Sequence, residues 1–258
     1  VIKGRRVLAV SLARGGSKSI PKKNIALICG RPLISYTIDA ARQSQYIDDF
    51  IVSTDDEEIA AVASKLGADV PFRRPPELST DTASSAGALC HAVLYMEQLR
   101  QQKYDIIVEL MVTNPLKTSE QIDTSVEMLH ARQADSVIAV TQVWDQHPAR
   151  IKKIEDGRIL DFCIHEPREM RRQDLTPSAY VRCGSIYTLN RDYLLATRNR
   201  YGSDKSYALI IPEDESVNID SVTDFQIAEL RIARRLASHK LRAVDGYPSS
   251  DVPSNQSP

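Results

Sequence analysis

The sequence carries almost no surplus charge: 33 Lys and Arg face 34 Asp and Glu, a formal net charge of −1 over 258 residues. So balanced a chain lacks the basic field that draws in a polyanion, and no nucleic-acid partner is expected. Cysteine is scarce, with four residues in all (Cys29, Cys90, Cys163 and Cys183), and none forms a CxxC pair. The five histidines have no zinc-ligand spacing either, which excludes the common structural zinc motifs. Nor does any apolar run approach the ~20 residues that cross a bilayer as a helix. Residues 1–13 hold only a short apolar stretch after Arg5 and Arg6, and read as a first strand rather than a signal peptide. Reduced thiols, no membrane contact and a cytoplasmic location are the expectations from these absences.

What is present is an ordinary globular balance, 42% hydrophobic and 26% charged, enough for one large domain or a main domain with a small appendage. Val7–Leu12 is a compact apolar strand, residues 32–42 form a helix, and 50–53 a second strand. Thr54 and Glu57 have the spacing of a capping box ahead of a helix with Ile59, Val62, Ala63 and Leu66 on its apolar face. A helix follows over about 81–101, then a strand at 105–110. A second capping-box pair, Thr118 and Gln121, precedes a helix bearing Ile122, Val126 and Leu129, and a strand follows at 136–141.

This alternation predicts an α/β fold, a Rossmann-like, mostly parallel sheet with helices on both faces. The rhythm breaks in 143–180, where short mixed segments, prolines and dense charge predict a small two- or three-stranded excursion. The parent sheet resumes at 184–189, and a last helix from about Val222 sets Phe225, Ala228, Ile232 and Leu236 on one face. The organisation expected is therefore a core over 1–142, the excursion over 143–180, the rest of the core over 181–237, and a disordered Pro/Ser-rich tail over 238–258.

The chemistry concentrates in Leu12-Ala13-Arg14-Gly15-Gly16-Ser17-Lys18-Ser19-Ile20-Pro21-Lys22-Lys23-Asn24, directly after the first strand. That position is the carboxyl edge of the sheet, where open α/β folds bind ligands. Gly15 and Gly16 let backbone N–H groups approach phosphate oxygens, and Arg14, Lys18 and Lys23 can neutralise a triphosphate. The run fits neither the P-loop nor the GxGxxG pattern. Read alone, it is equally a basic surface turn.

The loop resembles the signature of the CMP-sialic acid synthetases, the acylneuraminate cytidylyltransferases: Ala-Arg, two small residues, Ser-Lys, then Lys-Asn after a short gap. Three further stretches follow in the family's order. The run from Arg74 to Ser85, Arg-Pro-Pro-Glu-Leu-Ser-Thr-Asp-Thr-Ala-Ser-Ser, is similar to the family's Arg-Pro-x-x-Leu-x-x-Asp-Thr-Ala-Ser. Met111-Val112-Thr113-Asn114-Pro115-Leu116-Lys117 is similar to its Gln-Pro-Thr-Ser-Pro-Leu-Arg segment, and Val217-Asn218-Ile219-Asp220 to its Asp-Ile-Asp region.

The resemblance implies a nucleotidyltransferase that couples CMP from CTP to a sialic-acid-like nonulosonic acid and releases pyrophosphate. It implies that Arg14, Ser17, Lys18 and Lys23 hold the CTP phosphates, with Gly15 and Asn24 in the same nucleotide site, and that Arg74 and Ser84 contact the cytosine or its surroundings. Arg14, Lys23 and Asp220 become the catalytic candidates. Asp220, with Asn218 in place of a family aspartate, becomes the site for Mg²⁺, or Mn²⁺. Met111, Thr113, Arg172, Gln173 and Cys183 would face the sugar, with Met111 and Cys183 standing where the family has polar residues. The excursion corresponds to a dimerisation element, implying a homodimer.

Other readings of the same residues stay open. Asp220 or Ser221 could simply cap the last helix, and Ser84 could be a first-turn residue satisfied by backbone. Trp144 and Phe162 are interface anchors or small-domain core, and either Arg171 or Arg172 can meet a sugar carboxylate. His147 and His165 are weak candidates for a general base. The alternative functions are a relative using legionaminate, pseudaminate or GTP, and a weakened nucleotide-binding protein without activity.

Overall fold

The structure is a computed structural model and describes residues 1–165 and 169–244. The chain opens with β1 (Val7–Leu12), whose first five residues are buried; they pack against both sheet faces. Val7 and Ala9 face one cluster and Leu8 and Val10 the other, so the strand is a near-continuous apolar run rather than an alternating one. A short hairpin, β2 (Leu27–Ile28) and β3 (Arg31–Pro32), leads into α1 (Leu33–Gln43). Next come β4 (Asp49–Ser53), α2 (Glu57–Lys65), α3 (Ser85–Arg100), β5 (Ile106–Leu110), α4 (Ser119–Arg132) and β6 (Ser136–Val143). A two-stranded hairpin, β7 (Lys152–Glu155) and β8 (Arg158–Asp161), precedes β9 (Ala179–Asn190), α5 (Arg191–Thr197), β10 (Ser206–Ile210) and α6 (Val222–Val244).

Six strands form one sheet in the order β10-β6-β9-β5-β1-β4. The pairs β1 with β4, β1 with β5 and β6 with β10 are parallel, while β9 runs antiparallel to both its neighbours. The predicted mostly parallel sheet is therefore present, with one antiparallel strand. Helix α4 packs Ile122, Val126 and Leu129 on one face of the sheet with α1, while α3 lays Leu89, Val93 and Met96 on the other.

Local signals were decisive where they were strong. Thr118 and Gln121 form the reciprocal capping box of α4. At α2 the expected cap shifts: Asp56, not Thr54, accepts from the amides of Glu58 and Ile59 at 2.9 and 3.0 Å, while the Thr54 hydroxyl accepts from the Asp56 amide at 3.1 Å. A carboxylate two residues closer to the helix reaches the orphan amides better than a hydroxyl can. Within the expected excursion, residues 152–161 form the two-stranded β7–β8 hairpin outside the main sheet, while Val143 and residues 179–180 already belong to β6 and β9. The last helix runs on to Val244, so 238–244 is helical rather than the start of a tail; the rest of the expected tail lies outside the described residues. Four elements had no sequence expectation, the short strands β2 and β3, α5 and the edge strand β10. No helix among the described residues is long and apolar enough to cross a membrane.

Candidate functional site

A cavity of about 470 Å³ opens at the carboxyl ends of β1 and β5. Ten of the sequence-derived residues line it: Arg14, Ser17, Lys18, Lys23, Asn24, Arg74, Ser84, Met111, Thr113 and Asp220. Topology explains the gathering. The basic loop leaves β1, Met111 and Thr113 leave the adjacent β5, and Asp220 precedes α6 on a segment tied to both. The Ile219 amide donates to the Thr113 carbonyl at 2.8 Å, and Lys23 Nζ donates to the Ile219 carbonyl at 2.6 Å.

Two cations of the loop, Arg14 and Lys18, share one carboxylate, Asp81. Arg14 donates to Asp81 Oδ1 at 2.9 Å and to the Thr80 carbonyl at 3.2 Å, while Lys18 lies 2.6 Å from Asp81 Oδ2. The hydrogen bond and charge of Lys18, then of Arg14, hold the Asp81 carboxyl below the usual carboxylate range. A phosphate would make the same bidentate use of these two side chains. Asn24 is buried and donates to the Arg14 carbonyl at 3.0 Å, so it shapes the loop from beneath. Gly15 does not line the cavity; its amide donates to Asp55 Oδ1 at 3.1 Å, and a Cβ there would stand 2.7 Å from Asp56 Oδ2. Close backbone approach is what this glycine supplies.

Arg74 is only 4% exposed yet lines the cavity. Its Nε donates to Ser79 Oγ at 3.1 Å, and one terminal nitrogen reaches Asp55 at 3.5 Å. Burial pulls its pKa down and Asp55 offsets part of that. Its other terminal nitrogen has no protein partner among the described residues, leaving a donor for a ligand. Ser84 is the N-cap of α3, accepting from the Gly87 amide at 3.0 Å, and still faces the cavity.

At the acidic end, Asp220 does not cap α6. Ser221 does: its hydroxyl accepts from the Asp224 amide at 3.2 Å, and Asp224 accepts from the Ser221 amide at 2.7 Å. Asp220 keeps one oxygen 3.4 Å from Lys23 Nζ and receives Asn218 Nδ2 on the other at 2.6 Å. Asn218 Oδ1 accepts from the Thr113 hydroxyl at 2.7 Å, so its amide orients Asp220 and its oxygen is engaged. One exposed carboxylate at the edge of the cavity, beside the loop cations, suits Mg²⁺, which takes one or two carboxylates and completes its shell with water and substrate oxygens. Among the described residues no group of three His, Cys, Asp or Glu could enclose a metal without such help.

The sugar-side candidates divide. Met111 and Thr113 line the cavity; Cys183, Arg172 and Gln173 do not. Cys183 is buried in the core beneath α4, where desolvation raises its thiol pKa, because β9 bulges there: Ile138 pairs Tyr187 but Val140 pairs Arg182. Gly184, at φ 63°, takes the turn of the bulge against Met111 and Asn218. Arg172 lies 5.0 Å above the Trp144 ring and 3.5 Å from Glu213, and Gln173 is exposed beside it. Arg171 is occupied by Asp174 at 2.7 Å. His147 is buried and bonded to the Pro177 carbonyl at 2.8 Å and the Ala149 amide at 3.2 Å, a structural pairing; His165 is exposed against Asp161. Neither lines the cavity. Phe162 is 64% exposed and is therefore no core residue of the excursion.

Sequence reasoning passed over two residues. Asp81 stood inside a quoted motif without a role. Glu109, the one acidic residue in the apolar strand β5, is 1% exposed, lines the cavity, and pairs with Arg200 at 2.7 Å. A lone carboxylate in such a run was a signal, but its partner lies 91 residues away.

The family model described as cytidylyltransferase matches residues 8–156. N-acylneuraminate cytidylyltransferase A of Danio rerio is 36% identical over 90% of this chain, which spans about half (52%) of that protein's length. CMP-N,N'-diacetyllegionaminic acid synthase of Legionella pneumophila is 31% identical over 87% of this chain and 95% of its own. Among solved structures, CMP:2-keto-3-deoxy-manno-octonic acid synthetase complexed with CTP superimposes with a TM-score of 0.67, covering 89% of this chain and 99% of that one at 16% identity.

Proposed function

This chain belongs to the cytidylyltransferase family, within its CMP-sialic acid synthetase group, and we propose that it transfers CMP from CTP to a sialic-acid-like nonulosonic acid with release of pyrophosphate. The observation that carries the reading is one cavity that gathers Arg14, Lys18 and Lys23 from the loop, Arg74 and Ser84 from the α3 approach, and Asp220 from the far end of the chain. The anomeric hydroxyl of the acid attacks the α-phosphorus, and pyrophosphate leaves in line; the protein's part is positioning and charge neutralisation. Arg14, Ser17 and Lys18 bind the triphosphate, with Gly15 and Asn24 shaping their loop. Lys23 meets the charge that develops on the transferring phosphate, and the free donor of Arg74 reads the base. Asp220, oriented by Asn218, holds Mg²⁺, which supplies charge neutralisation to the phosphates when bound.

Met111 gives the acceptor side of the cavity an apolar wall beside Thr113. That favours an acid with a less polar substituent at this point, such as legionaminate or pseudaminate, over N-acetylneuraminate. Arg172 and Gln173 stand away from their own chain's cavity, which supports their service to a second copy in a homodimer built on the β7–β8 hairpin. Pyrophosphate release measured over four nucleoside triphosphates and several nonulosonic acids tests the proposal. CTP with one of the acids is the expected productive pair, dependent on divalent metal. A preference for GTP, or undiminished turnover in excess chelator, overturns it.

A further inference from the structure

Resting on that reading, we propose that Glu109, held in place by Arg200, is a specificity-determining residue that accepts a hydrogen bond from an N–H or O–H of the acceptor sugar. Glu109 sits on β5 between Val108 and Leu110, all three buried, at the wall of the cavity beside Leu12, Ala88 and Met111. Oε2 accepts from Arg200 at 2.7 Å, while Oε1 has no partner among the described residues and is not fully enclosed. Arg200 is itself fixed, lying 4.4 Å from the ring centre of Tyr187, the residue paired with Glu109 across the sheet.

A carboxylate in an apolar strand is costly to desolvate, and one guanidinium satisfies only part of it. Burial pushes its pKa up and Arg200 draws it back. Glu109 lines the cavity, so a donor on a ligand there can complete the pairing of the remaining oxygen.

Sheet order selects which ligand. Along β9-β5-β1-β4, the triphosphate loop leaves β1, and Arg74 is bonded to the carbonyl of Thr54 beyond β4. Glu109 lies on the other side of β1, with Met111 and Thr113. The base therefore falls to the β4 side and the acceptor to the β5 side. Like-charge repulsion keeps the acid's own carboxylate away from Glu109, so an acylamino or hydroxyl group is what meets it.

The test is steady-state kinetics of wild type and Glu109→Gln with CTP and N-acetylneuraminate, its deaminated analogue, legionaminate and pseudaminate, alongside calorimetric binding of the same acids. We expect kcat/KM for the preferred acid to fall roughly 10–100-fold, as when a hydrogen bond to a charged group is lost. The loss should be smaller for acids lacking that donor, with KM for CTP unchanged. Should Glu109→Gln fail to fold, Glu109→Asp, which keeps the charge and withdraws the oxygen, should give the same selective loss. A rise in KM for CTP alone would mean that Glu109 reads the base. An equal loss for every acid with a lowered melting temperature would make it a structural pair; either result overturns the proposal. Wild type that releases no pyrophosphate with any acid sinks the cytidylyl-transfer reading instead, and acid binding by calorimetry still decides the role of Glu109.

Discussion

Lys23 spans the longest sequence separation in the site. Its ammonium joins the loop after β1 to Ile219 and Asp220, 196 and 197 residues further on, with the side chain 12% exposed. Lys23→Ala should lower kcat by about 10²–10³-fold, the usual loss of one donor aimed at developing charge. Single-turnover pyrophosphate release near the wild-type rate would leave Lys23 as a tether between segments. A second residue-scale test ranks the metal candidates. Asp220→Ala should raise the Mg²⁺ concentration for half-maximal turnover more than Asn218→Ala, because the carboxylate is the charged ligand and the amide orients it. The reverse order in a metal titration would put the ion on Asn218. The identities of Arg14, Lys18, Lys23 and Arg74 were legible from motif order alone. Glu109 and Asp81 were not, since a carboxylate's meaning depends on which cation faces it, and those cations come from other elements.

At the scale of elements, Lys117 locks three of them. Its fully buried Nζ donates to Thr37 of α1 at 2.9 Å, to the Met111 carbonyl at the end of β5 at 2.7 Å, and to the Asn114 carbonyl in the turn before α4. Burial pushes its pKa from 10.5 down to about 7, while three acceptors for three ammonium protons resist that fall. Between about 7 and 10.5 the unfolded chain then binds the proton more readily than the folded one, so stability should rise with pH across that window. Urea midpoints of wild type and Lys117→Met between pH 6.5 and 10 (bracketing roughly that window) check it. The wild-type profile should climb relative to the variant, and parallel profiles would mean that the acceptors hold the ammonium charged. Strong local signals, such as the Thr118–Gln121 box, survive into the structure unchanged. The Thr54–Glu57 spacing did not, because Asp56 offers the same helix a closer carboxylate.

For the molecule as a whole, the β7–β8 hairpin and Phe162 just after it present apolar surface that none of the described residues covers: Ile154, Ile159 and Phe162 are 66%, 70% and 64% exposed. Ile154 and Ile159 face each other in the hairpin register. In the proposed homodimer this face is buried against the partner, and Arg172 is carried toward the partner's acceptor. Ile159→Asp should therefore shift wild-type dimer to monomer in light scattering and reduce kcat/KM for the acid while CTP affinity persists. A wild type that is monomeric and fully active would remove both the dimer and that role of Arg172.

Sequence alone determined the class of fold, since strand and helix periodicities and caps are local. It also singled out Arg14, Ser17, Lys18, Lys23 and Asn24, which line one cavity because the loop after β1 that carries them is contiguous. Tertiary structure decided the rest. The β9 bulge turns Cys183 into the core, and Ser221 takes the helix cap and frees Asp220. The β5–β9 pairing, with α5 and the loop after it, delivers Arg200 to Glu109. Each depends on residues far apart in the chain, where burial and hydrogen-bond partners are set by packing rather than by spacing.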